Sequence, residues 1–223
     1  DNNNITGTKF GLYKVLKETI IASQNIRFEG DGYSDEWKDE AARRGLTNIC
    51  HVPEAIMKFN DPQSRSVLIG EKIFNENELN CRIEVELEKF TKKVQIESRV
   101  LGDLAINHIV PTAVIYQNRL LENLRGLKEI FSTEEYEEMT ADRKDLVREI
   151  QRRILSIKKA VHDMTEARKV ANHLGSQVEK AFSYEEKVRP YLEEIREHID
   201  SLELEIDDEI WPLPKYRELL FTK

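Results

Sequence analysis

The chain has 223 residues, 39% hydrophobic and 34% charged, with 42 acidic against 34 basic side chains and a formal net charge of -8. That balance argues against nucleic acid as a default partner, since neutralising phosphates takes a surplus of Lys and Arg, and it disfavours adhesion to an anionic membrane. The 9 Gly and 6 Pro are few for a turn-rich β-sandwich, whereas long amphipathic helices, each burying one stripe, suit a composition this polar.

Residues 1–8 are polar, with no basic start and no apolar run, so they do not read as a signal peptide, and no stretch approaches the ~18 apolar residues of a membrane span. The start also lacks an initiator Met, so a fragment or a processed product is expected, with residues 1–9 as a disordered or linker start. Residues 10–26 carry Leu12, Val15, Leu16, Ile20 and Ile21 at helical spacing. The Gly30-Asp31-Gly32 turn stops that helix; Ser34 is placed as the N-cap of the next one and Gly45 as its left-handed close. Pro53 and Pro62 fit the first turns of two further short helices. Residues 10–74 therefore read as a short-helix docking region.

Asn75 and Glu78 form a capping box, and so do Ser132 and Glu135. Behind the first runs a stripe of Leu79, Ile83, Leu87, Phe90, Val94, Leu101 and Leu104, continued past Pro111 by Val114, Ile115, Leu120, Leu121, Leu124 and Leu127. Pro111 lacks an N–H and crowds the preceding turn, so a kink or break is expected there. The most regular period is Val147, Ile150, Ile154, Ile157, Val161, Met164, Ala167, Ala171, Leu174 and Val178, repeated in Val188, Leu192, Ile195, Ile199, Leu202 and Ile206. Residues 75–206 thus predict an all-α bundle of long antiparallel helices with coiled-coil-like seams.

Residues 207–223 differ in kind. Pro212 and Pro214 hold the chain extended beside Trp211, Leu213, Tyr216 and Phe221. These four are expected to dock as one apolar patch, either onto the region of Tyr33 and Trp37 or onto a neighbouring subunit.

Reactive side chains are sparse. Cys50 and Cys81 read as reduced thiols of a cytoplasmic protein, without zinc-ligand spacing. None of His51, His108, His162, His173 and His198 has an acid three residues before it, as a di-metal bundle site needs. Glu194 and His198, four apart, read as a helix-surface contact, and His108 and His162 as core or boundary histidines. The two-glycine turn at Gly30 lacks the strand and Gly-Lys-Ser/Thr of a phosphate loop. No catalytic, cofactor-binding or metal residue is assigned, which leaves a scaffold, or a free-standing coiled-coil adaptor.

Two segments add a resemblance. Residues 29–46, with Glu36-Trp-Lys-Asp-Glu-Ala42 at their centre, and the tail run Trp211-Pro-Leu-Pro-Lys-Tyr216 resemble the carboxy-terminal part of type III glutamine synthetases. Between them, residues 75–90 and the helices around Pro111 fit that family's helical section. The resemblance implies a parent enzyme that joins glutamate and ammonia using ATP with Mg²⁺ or Mn²⁺, assembled as a large homo-oligomer. Its metal and substrate residues would lie in an upstream catalytic barrel, so none maps onto this sequence, and the chain is expected to be the non-catalytic assembly domain. Its expected partners are that barrel and neighbouring subunits, with no nucleic acid and no membrane.

Overall fold

The computed structural model describes residues 2–220, with side-chain environments for residues 10–215 and 218–220. All regular structure among the described residues is helical. The chain divides into two compact units, Asp1–Cys50 and His51–Lys223.

The first unit holds α1 (Asn2–Ala22), a 3₁₀ turn (Gln24–Ile26) and α2 (Asp35–Arg43). Ser34 caps α2 by accepting from the Trp37 N–H. Gly45, at φ +72°, closes it in a Schellman turn, with Gly45 N–H donating to Ala42 and Leu46 N–H to Ala41. Arg44 spans the unit: its guanidinium donates to the Glu40 carboxylate and to the carbonyls of Gln24, Asn25 and Arg27. Phe28 and Trp37 pack ring against ring, 4.8 Å between centroids.

The second unit begins with α3 (Val52–Met57) and α4 (Pro62–Gly70), both started by prolines in the first turn. The Schellman turn recurs after α4, here with Lys72 forced to φ 58°. Then come α5 (Glu76–Leu104), α6 (Val110–Ile130), α7 (Thr133–Asn172), α8 (Gln177–Ser183) and α9 (Arg189–Glu205), with a short α10 (Tyr216–Leu219) after an irregular stretch. Both expected capping boxes form, Asn75 with Glu78 and Ser132 with Glu135. Two apolar clusters hold the unit. The smaller joins Leu79, Ile83 and Leu87 of α5 to Ala181 of α8, with Ile56, Leu68 and Phe74 packed on it, which fastens α3 and α4 to the long helices. The larger runs from Val94 through Ile109, Ile150, Ile157 and Met164 to Tyr184, Ile195, Leu202 and Trp211.

Pro111 neither kinks α6 sharply nor ends the helical run. A π-helical turn, Ala105–Ile109, precedes it, and the Val110 N–H reaches back to the Ala105 carbonyl. A second π turn, Tyr184–Val188, precedes Pro190 in the same way, with Arg189 N–H donating to Tyr184. Each widened turn absorbs the donor that proline lacks and turns the residues beyond it on the helix. Past Pro111 the inward residues are therefore Thr112 and Ala113, while Val114 and Ile115 are 40% and 52% exposed, contrary to the expected stripe. His108 and His162 are exposed, not core residues.

Candidate functional site

The second π turn brings three consecutive residues, Ser183, Tyr184 and Glu185, into the interior, which a regular helix face does not do. Tyr184 and Glu185 enter two separate polar networks.

Glu185 is buried and charged. Its carboxylate accepts from Arg189 Nη1 at 2.8 and 3.1 Å and lies 2.8 Å from His51 Nδ1. His51 is the residue before α3, so the network ties the entry of that helix to the π turn. Beside Arg189 a cleft of about 500 Å³ opens between α3 and α5, lined by Ile56, Phe90, Lys89 and Lys93 among others. A second, more apolar hollow of about 250 Å³ lies between Ile56, Phe59, Phe74, Leu79 and Ile83, with Arg82 stacked over Phe74.

Tyr184 lies in the larger core, and its hydroxyl donates to Asn172 Oδ1 at 2.8 Å; Gln95 Nε2 donates to the same oxygen at 3.2 Å. Burial pushes the Tyr184 hydroxyl above its ordinary pKa, opposed by its bonds to Gln95 and Asn172 and by the charges of Arg168 and Arg99. Arg168 is itself lowered, by burial first and by Arg99 second. Tyr184, Glu185, Arg99 and Arg168 carried no signal in the sequence, because an inserted turn and the register between helices decide their neighbours.

Of the tail residues, Trp211 and Leu213 are brought together: Trp211 is 8% exposed in the larger core and Leu213 packs against it with Ile210. Lys215 fastens this stretch, donating to the carbonyls of Glu203 and Ile206 at 2.6 and 3.0 Å. Its Nζ also lies 2.6 Å from Asp208 Oδ1. Arg119 of α6 meets Asp207 at 3.3 Å. The Tyr216 side chain and Phe221 lie outside the described residues. Trp37 is half-buried in the first unit against Phe28, and Tyr33 there is 97% exposed. Cys50 and Cys81 are exposed free thiols. Among the described residues no three His, Cys, Asp or Glu are grouped to hold a metal ion, and no helix is long and apolar enough to cross a membrane.

Residues 11–128, more than half of the chain, match the family model described as the glutamine synthetase C-terminal domain. The chain is 75% identical to a glutamine synthetase of Bacteroides fragilis (strain YCH46), over 97% of this chain and 30% of that protein. It is 27% identical to a type-3 glutamine synthetase of Dictyostelium discoideum, over 98% of this chain and 30% of that protein. A glutamine synthetase of Butyrivibrio fibrisolvens is 28% identical over 94% of this chain and 29% of its own length. The chain thus spans about 30% of the length of the curated relatives it matches, and it belongs to the glutamine synthetase C-terminal domain family.

Proposed function

We propose that this chain is the structural and assembly domain of a type III glutamine synthetase, the ligase chemistry being carried by the remainder of the parent protein. In that reading the parent joins glutamate and ammonia at the expense of ATP, with Mg²⁺ or Mn²⁺, in the cytoplasm. This domain docks against the catalytic part and against neighbouring subunits of a homo-oligomer. Trp37, Trp211, Leu213, Tyr216 and Phe221 are its docking residues, and α1 adds a further surface.

The observation that carries the reading is α1. Leu12, Val15, Leu16, Ile20 and Ile21 recur along it at helical spacing, yet each is 49–60% exposed. An apolar helix left this open is a surface awaiting a partner. That the chain covers only about 30% of its relatives supports finding that partner within the whole synthetase. The test is to replace Leu16 and Ile20 with Glu in a whole synthetase carrying this chain. Light scattering should report a smaller assembly, and glutamine formation should fall with it. Unchanged mass and unchanged turnover overturn the reading and favour a free-standing adaptor.

A further inference from the structure

The α5–α7 seam brings together two arginines with no counter-ion. Gln95 of α5 meets Asn172 of α7, and Gly102 of α5 lies against Val161 and Met164 of α7. The two helices therefore run antiparallel at this contact. One turn on from Gln95 stands Arg99, and one turn back from Asn172 stands Arg168, so the guanidiniums face each other across the seam. Arg99 is exposed and Arg168 half-buried. Neither makes a hydrogen bond or ion pair among the described residues. The acids nearest in sequence are turned to other partners: Asp103 accepts from Asn107 at 2.6 Å, Glu97 faces Lys93 at 4.0 Å, and Glu166 holds Lys169 at 2.7 Å.

An antiparallel seam ordinarily sets opposite charges across from each other, since like charges there are destabilising. Here two positive charges converge beside the Tyr184 hydroxyl. Guanidiniums present flat forks of N–H donors that fit an oxyanion bidentately. We propose that Arg99 and Arg168, with Tyr184 between the helices, form a binding site for a dianionic phosphoryl group. The charge argues for a dianion: a single carboxylate leaves one of the two cations uncompensated, whereas a phosphoryl group balances both. Burial and the neighbouring Arg99 weigh on the charged form of Arg168, a cost that a bound dianion relieves.

The experiment is calorimetric titration of the full chain with inorganic phosphate at fixed ionic strength, repeated on Arg99→Gln and Arg168→Gln. Saturable binding is expected, roughly tenfold or more weaker in each variant. Arg99 is exposed, so Arg99→Gln leaves the fold intact. Without phosphate at low salt it should melt above the parent, because one repelling charge is gone, and the gain should vanish at high salt. A purely structural arginine does not behave in this way. A phosphate monoester used as competitor separates the two sources: displacement of phosphate assigns the site to a phosphorylated metabolite, and failure to displace it assigns the site to the free ion. The proposal is overturned by any one of three results: no saturable binding, equal binding in parent and both variants, or acetate competing as strongly as phosphate.

Discussion

Glu185 keeps a carboxylate in the interior because two cations reach it from the rim, Arg189 through one nitrogen to both oxygens and His51 through Nδ1. Isolated there it would be expensive; bonded there it joins α3 to the turn before α9. Glu185→Ala removes these bonds and is expected to lower stability by about 1.5–3 kcal/mol, the range for hydrogen bonds to charged groups. Glu185→Gln keeps the shape and one acceptor oxygen and should cost less. Urea unfolding of both variants checks the order. An alanine variant with the parent's midpoint and slope would show that the network contributes nothing to the fold.

At the scale of the element, what was legible was local. Ser34, Asn75, Ser132 and Gly45 act where the sequence put them, because a cap depends on a side chain and backbone groups a few residues away. The inward positions of α5, α7 and α9 also follow their spacing. Beyond Pro111 the projection fails, since one extra residue in a π turn rotates everything after it by about 100°. Composition gives no sign of that insertion. The arginine pair was hidden for a related reason: nothing in either helix alone states which residue of its neighbour it will face. Gly102 tests how tightly that seam closes. A Cβ added there would meet Val161 and Met164 at 3.4 and 3.5 Å, ordinary contact distances. Gly102→Ala should therefore stabilise the chain by roughly 0.5–1 kcal/mol, as expected for removing a glycine from a helix interior. A loss of stability in chemical denaturation would mean that α5 and α7 pack closer than these distances allow.

For the second unit as a whole, the tail is a closing element. Trp211 lies in the same core as Ile157 and Leu202, and Lys215 caps the carbonyls at the end of α9, so residues 206–215 are stitched to the bundle by both apolar and polar contacts. The prolines at 212 and 214 lower the entropy lost on docking. Trp211→Ala removes a large buried side chain and is expected to cost ~3–5 kcal/mol. Two measurements separate a tail that closes its own bundle from one that serves a neighbour. Lower melting at unchanged mass means self-docking, the outcome favoured by the 8% exposure of Trp211. Lower mass at unchanged melting means that the tryptophan acts between subunits. If neither quantity moves, the tail is a solvated appendage and the docking assignment of Trp211 and Leu213 falls.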